Sequence, residues 1–550
     1  MSITPPPGLP RSLQYPDVPV GAILAGAAER YGARSAFQHG RGELSYTQLW
    51  RGACRFGNAL GAHGIGPGDV VAFHLPNTLS YPVAYFGTML AGATFSPANP
   101  LLPKEALAYQ LTDSAATAVV TCGAASGLLT SVLPRTEVEV VVVAAPIGEL
   151  PPGAVDFDHF HREATDVPPR VEVTGDTLAH LAYTGGTTAR SKGVRLTHRN
   201  VVAGALQYAC WANGAVPALG RRGHLRLDQV GTEDDWPIRL GTGISINLTP
   251  WFHAMGTLAS LIVPLLTGNT VVLHDRFDAA NYLAEAERLR INSIQGSPSM
   301  YAALLKCPDL RTRDLSSVRL LNSGAAPIPA ETVAALLERF PHAVFAEGYG
   351  LTEVTMGAAV GHSFASGTYK PGAIGPPLPD TDIKIVSEEG GDPLPPDTPG
   401  EVCIRGPQVM QGYHNRPEET ELALRGGWLH TGDIGVLDHD GFLSIVDRKK
   451  DLLLYKGYNV YPRELEELLT GQAGVALAAV VGQPDPAVGE RPVAFVVPDR
   501  RNHQLDADAL MRAVNEQVLP YQRLRDLRFV DRIPMSGTGK ILKRKLRELL

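Results

Sequence analysis

Between Tyr183 and Gly193 the chain reads Tyr-Thr-Gly-Gly-Thr-Thr-Ala-Arg-Ser-Lys-Gly. Glycines let backbone N–H groups turn toward an anion, and the hydroxyls of Thr184, Thr187 and Thr188 and the ammonium of Lys192 add donors and charge beside Gly185 and Gly186. The apolar run Leu178-Ala-His-Leu-Ala-Tyr183 in front of it reads as a buried strand. A strand leading into such a turn has the makings of a phosphate cradle. It is not a Walker A loop, because the G-x-x-x-x-G-K-[ST] spacing cannot be laid over these residues.

Two more Gly-rich turns follow strand candidates. Leu315–Asn322 runs into Ser323-Gly324-Ala325-Ala326-Pro327, and Ala343–Ala346 runs into Glu347-Gly348-Tyr349-Gly350-Leu351-Thr352-Glu353. Open α/β sheets bind ligands where their strands end in turns of this kind. Either turn alone is an ordinary connection; three in one chain point to a shared site. Thr431-Gly432-Asp433 is by itself a turn, although a carboxylate there also suits a diol. His253 sits among Trp251, Phe252 and Met255, where a histidine is more often packed than functional. The mixed basic and acidic run from Val446 to Glu466 has the look of a solvated strand edge, and Pro534–Lys540 that of an exposed Gly/Ser loop.

Taken in order, these strings resemble the motifs of the adenylate-forming superfamily, and within it the acyl-CoA synthetases. The first is similar to YTSGTTGxPKG, departing from it at Gly185 for Ser, Ala189 for Gly and Ser191 for Pro while keeping Thr187, Thr188 and Lys192. The resemblance implies that Gly324, Ala325 and Ala326 line an adenine pocket and that in the turn Gly348-Tyr349-Gly350 the aromatic Tyr349 stacks on the base. It implies that Thr352 contacts the α-phosphate, Glu353 holds Mg²⁺, and Asp433 and Arg448 hold the ribose. His253 would lie near the acyl pocket, Lys450 at a hinge, Gly457 on a pantetheine tunnel, and Lys540 would be catalytic. The implied cofactors are ATP, Mg²⁺ and coenzyme A, and the implied reaction makes an acyl-adenylate and then a thioester. The apolar neighbours of His253 favour a medium- or long-chain fatty acid. An aryl acid, a fatty acyl-AMP ligase loading a carrier protein, and a non-catalytic nucleotide-binding scaffold are the alternatives.

The elements that must position these residues alternate between helix and strand. Val20–Tyr31, Ser45–His63 and Tyr81–Leu90 read as helices, with Gly92 as the stop of the last, and Asp69–Leu75 and the aliphatic Val138–Ala144 as strands. This predicts an α/β fold: a large N-terminal domain (1–449) of doubly wound sheets plus a β-rich subdomain, then a small mobile α+β domain (450–550). The stretch from Ala212 to Leu248 breaks periodicity and reads as a solvated surface excursion. At 550 residues the chain exceeds one core, and its formal charge of −7 offers no footprint for nucleic acid. The five cysteines are scattered singly, as suits a reducing cytoplasm. No apolar run approaches the roughly 20 residues needed to span a bilayer, and the Pro-rich start does not resemble a signal peptide. The partners expected are therefore small molecules, with a homodimer left open.

Overall fold

The computed structural model describes residues 6–184, 191–324, 326–387, 391–449, 451–456, 458–499, 505–535 and 540–550. Two eight-stranded sheets form the bulk of the molecule. One runs Ala359–Val360, Val344–Tyr349, Leu320–Gly324, Ser293–Gly296, Ile244–Asn247, Thr270–Leu273, Ser35–His39 and Gly42–Ser45, parallel except at its two edges. The other runs Gly412–Tyr413, Lys192–Thr197, Leu178–Thr184, Thr94–Ala98, Val70–His74, Ala116–Cys122, Val140–Ala144 and Ala154–Asp156.

Both sheets are covered on both faces, which is why their strands read as unbroken aliphatic runs. Successive side chains point to opposite faces of a strand. Val140 and Val142 accordingly join a core with Phe37, Phe95, Leu206 and Leu261 that ties the two sheets together. Val141 and Val143 pack the opposite way, against Leu107, Leu111 and Leu129. The other sheet repeats the logic, with Val272, Ile294 and Leu321 facing Tyr282, Leu304 and Val333. The helix Tyr46–Ala62 starts where Ser45 accepts from the Gln48 amide while the Gln48 side chain accepts from the Ser45 amide, a reciprocal cap.

An antiparallel five-stranded sheet follows, built from Asp382–Val386, Gly400–Arg405, Leu424–Arg425, Trp428–Leu437 and Leu443–Arg448. A further five-stranded sheet begins at Leu453 and carries its own cores, with Leu465, Leu469, Leu510 and Val514 of the helices Pro462–Thr470 and Ala507–Asn515 packed on Val480 and Val496. The architecture is the α/β one expected.

The stretch 212–248 departs from expectation. It is a hairpin, Ala215–Leu219 against Leu225–Gln229, followed by a turn whose Trp236 is buried and by a central strand, Ile244–Asn247. Gly214 makes this possible. It ends the helix His198–Asn213 in a left-handed conformation, and a Cβ there would lie 2.1 Å from the Trp236 ring. Smaller differences are at ends: the strand expected over Leu315–Asn322 runs Leu320–Gly324, and the chain after the Trp251–Met255 turn takes one π-helical stretch, Gly256–Ile262, before Val263–Thr267.

Candidate active site

The strands Leu178–Thr184 and Lys192–Thr197 pair antiparallel, with Thr184 directly opposite Lys192. The predicted phosphate loop joins these two paired strands; Gly185, Gly186, Thr187 and Thr188 lie outside the described residues. Its stem is tied to the helix Lys104–Asp113, since the Tyr183 hydroxyl donates to Asp113 Oδ2 at 2.7 Å. At the stem's mouth, Lys192 Nζ stands 4.8 Å from the centre of the Tyr413 ring. The Tyr413 hydroxyl in turn donates to Glu353 Oε1 at 2.8 Å. Glu353 is further fixed through its backbone, whose carbonyl accepts from the Met410 amide at 2.8 Å. Burial holds the Glu353 carboxyl above its usual range; the bond from Tyr413 pulls it down, Asp433 pushes it further up and Arg448 opposes.

The two glycine turns lie side by side, because Gly324 and Gly348 are partners in adjacent parallel strands. Ala326 follows the first turn, and Ala325 lies outside the described residues. Gly350 cannot be replaced without rebuilding: a Cβ there would fall 1.4 Å from the Met356 carbonyl oxygen. That carbonyl belongs to the chain leaving Thr352–Val354, so the turn folds back on itself and presents Thr352 and Glu353. A Cβ at Gly324 would meet Met255 Sδ at 3.3 Å, which places the Trp251–Met255 turn against the same glycine pair.

Tyr349 leaves this turn and donates its hydroxyl to Asp433 Oδ2 at 2.7 Å. Arg448 Nε lies 3.2 Å from Asp433 Oδ1, because the two residues are direct cross-strand partners of Trp428–Leu437 and Leu443–Arg448. Asp433 is buried, and Thr431 Oγ1 accepts its amide at 3.1 Å.

Lys540 comes to this centre from the other end of the chain. A bridge between Met535 and Ile541 closes its loop. Burial and the charge of Arg448 push its ammonium below the usual lysine range, while Asp433 and Glu353 pull it back up. His253 is pushed down to about 4 by burial, with Lys540 adding to the effect, so its imidazole is neutral near pH 7. Glu353, Asp433, Arg448, His253 and Lys540 therefore share one electrostatic neighbourhood. Lys450 and Gly457 lie outside the described residues.

Tyr413 was not singled out from sequence, and nothing local marks it: it is one residue of a two-residue edge strand, Gly412–Tyr413. Glu347 is another such residue. It is buried beside the glycine turns and pushed up to about 7 by burial, with Arg463 opposing and Glu467 adding to the rise. Arg463 also anchors its own helix to the strand Leu443–Arg448, its amide donating to Asp447 Oδ2 at 2.9 Å. Among the described residues no group of three or more His, Cys, Asp or Glu side chains could hold a metal ion unaided. Nor is any described helix long and apolar enough to cross a membrane.

Comparison with known proteins agrees with this geometry. The family model described as AMP-binding enzyme matches residues 24–414, and that of the AMP-binding enzyme C-terminal domain matches 464–540. A feruloyl-CoA synthase of Amycolatopsis sp is 35% identical over 93% of this chain and 95% of its own length. A long-chain-fatty-acid–CoA ligase of Bacillus subtilis (strain 168) is 32% identical over 99% and 96%. Among solved structures, ATP-bound MatB of Rhodopseudomonas palustris superposes with a TM-score of 0.84 at 28% identity, covering 96% of this chain and 98% of that one; its apo form gives 0.74. This chain belongs to the AMP-binding enzyme family of the adenylate-forming superfamily, and it is a ligase.

Proposed function

We propose that the protein is an acyl-CoA synthetase that activates an apolar carboxylic acid, with a medium- or long-chain fatty acid as substrate. The observation that carries the reading is the convergence of Lys540, from the chain's last residues, on Glu353, Asp433 and Arg448. A carboxylate attacking the α-phosphorus of ATP brings anions together, and a buried ammonium at that point offsets the charge as it develops. Pyrophosphate leaves, and the thiol of CoA then displaces AMP from the acyl carbonyl. No side chain serves as a covalent nucleophile.

Asp433 fits the ribose. Its oxygens already accept from Tyr349 and pair with Arg448, and a carboxylate has lone pairs left for a diol. Glu353 fits Mg²⁺, which takes one or two protein carboxylates and completes its shell with phosphate oxygens and water. A carboxyl held above its usual range by burial is also the group a cation would most relieve. When bound, Mg²⁺ supplies charge neutralisation at the phosphates. The closer likeness to ATP-bound than to apo MatB supports reading this arrangement as the adenylating one. Thioester formation then calls for the small domain (450–550) to turn on the large one (1–449) at Lys450, bringing the Gly457 side to the site.

For the acid, the neutral His253 and the apolar turn around it select an uncharged tail rather than an amino acid. A second reading is an aryl acid. The name of the feruloyl-CoA synthase relative points that way. The test is pyrophosphate release across saturated acids of increasing length and cinnamic-type acids, with thioester formation from free CoA read alongside. Preference for amino acids would overturn the reading. Pyrophosphate without thioester on every acid would move the acceptor to a carrier protein.

A further inference from the structure

The helix Pro462–Thr470 of the small domain starts without a cap of its own. Tyr461, in the capping position, makes no side-chain hydrogen bond to the first turn. Pro462, at the first helical position, has no N–H to satisfy. The Arg463 amide does, and its partner comes from the large domain: Asp447 Oδ2 accepts it at 2.9 Å. Asp447 is buried on the strand Leu443–Arg448, and its Oδ1 accepts from the Arg448 amide at 2.7 Å. A carboxylate suits a helix N-terminus both as an acceptor and as a charge facing the helix dipole. Burial pushes the Asp447 carboxyl above its usual range, and Lys543 and the Arg463 amide, both of the small domain, draw it back.

Arg463 reaches back with its side chain. Its Nη1 donates to the carbonyl of Ile445, two residues before Asp447 on the same strand. Its Nε donates to Glu467 Oε1 at 2.8 Å, one turn along its own helix, which holds the guanidinium in that pose. The same charge bears on Glu347, the buried carboxyl beside the glycine turns of the large domain. The described apolar clusters stop short of this seam. Those of the large domain end at Ile445 and those of the small one begin at Leu453, and none contains residues of both. Parting an apolar seam would expose its whole area to water, whereas hydrogen bonds broken here are exchanged for bonds to water. Contacts of this kind can hold an orientation and still release it.

We propose that Asp447 and Arg463 form a reciprocal clasp that holds the small domain in the adenylating orientation. The inference rests on the domain turn proposed above. Asp447 caps the helix of the other domain, and Arg463 bonds the strand that bears its cap. Arg463 is therefore a positioning residue: it touches no reacting atom and acts through the delivery of Lys540. Turning the small domain uncaps the helix, which biases the equilibrium toward the docked form by about fivefold, the ordinary worth of a cap. Loss of the guanidinium bond to Ile445 adds to that bias. The clasp thus sets how the molecule divides its time between the two half-reactions.

The test uses the full-length protein with Arg463→Met, which keeps the apolar stem and deletes the guanidinium, and Asp447→Ala, which deletes the cap. Amide hydrogen exchange is followed by mass spectrometry without substrates, and both half-reactions are measured by single turnover. In both variants exchange in the first turn of Pro462–Thr470 should quicken by about fivefold or more. The strands around Val480 and Val496 should keep the parent's protection, which separates undocking from unfolding. Adenylate formation should slow by about tenfold, while thioester formation from synthetic acyl-adenylate and CoA stays within about twofold of the parent or quickens. Unchanged exchange, or an unchanged ratio of the two half-reactions, overturns the proposal. Should either variant lose protection throughout the small domain, Arg463→Gln, which drops the charge and keeps a polar head, is read the same way; parent-like exchange in it overturns the clasp. Because exchange is followed without acid or CoA, the clasp can stand even if no acid in the panel is activated.

Discussion

Glu353 and Tyr413 are sixty positions apart, and their 2.8 Å hydrogen bond is the contact on which the proposed metal ligand depends. A phenol donating to a carboxylate stabilises the ionised form, the form a cation needs. Removing it leaves burial as the dominant influence on Glu353. Tyr413→Phe keeps the ring beside Lys192 and deletes only the donor. A hydrogen bond to a charged group contributes about 1.5–3 kcal/mol, so the acidic limb of the adenylation pH profile should move up by about one pH unit. The KM for Mg²⁺ should rise with it; an unmoved limb would detach Tyr413 from Glu353. Glu347 offers a stability test with the opposite emphasis. Its folded value is about 7 against an ordinary 4.5, so between those values the folded state keeps a proton that the unfolded chain has released. That contribution is fully present below pH 4.5 and is lost as pH rises through about 7. Glu347→Gln should therefore change stability little at pH 4.5 and raise it at pH 8 by up to about 3 kcal/mol, read by denaturant unfolding at both values. Equal effects at the two pH values would show that the carboxyl is not strained by burial.

At the scale of elements, the strands of the two large sheets were legible because burial on both faces writes itself as an unbroken aliphatic run. Val140–Ala144 is the clearest case. The glycine turns were legible too, since only glycine fits at Gly350. Pairing was not. Nothing around Asp433 says that Arg448 is its cross-strand partner, because register is set by the whole antiparallel sheet. The 212–248 stretch was misread for a different reason. Its polar, Gly-rich turns hid a short alternation in Leu225-Arg-Leu-Asp-Gln229, whose two leucines are buried and whose Arg226 and Asp228 are exposed. Period-two alternation over five residues was the available signal. Trp236 then pins the segment, packing 5.4 Å from the Phe364 ring and donating Nε1–H to the Pro7 carbonyl at 3.3 Å. Trp236→Ala should cost about 3–5 kcal/mol of stability, as large-to-small changes at buried aromatics do. Adenylation per folded molecule should survive it. A variant as stable as the parent would return this stretch to the status of a surface loop.

At the scale of the molecule, the question is why the residue proposed to complete the adenylation site lies at position 540, far along the chain from Glu353 and Asp433. Lys540 reaches Glu353, Asp433 and Arg448 only because its sheet is docked in this orientation, with the Arg463 amide donating to Asp447 Oδ2 at 2.9 Å. A group delivered by docking can also be withdrawn, and the two half-reactions need different things. Adenylation joins a carboxylate to a polyphosphate and calls for a cation between them. Thiol attack on a finished adenylate builds charge on the acyl oxygen, away from the phosphates that the proposed role of Lys540 serves. Lys540→Ala should therefore slow acyl-adenylate formation by about a hundredfold or more while leaving thioester formation from synthetic acyl-adenylate and CoA near the parent rate. The pH profile gives an independent reading. Burial lowers the Lys540 pKa, so the parent's adenylation should fall as pH rises through a value below the ordinary 10.5, when the ammonium loses its proton. The alanine variant has no such proton to lose and should lack that limb. Both half-reactions are measured by single turnover, each across pH. If Lys540→Ala slows the two equally, or keeps the parent's alkaline limb, the ammonium is not what the docked domain brings to the site.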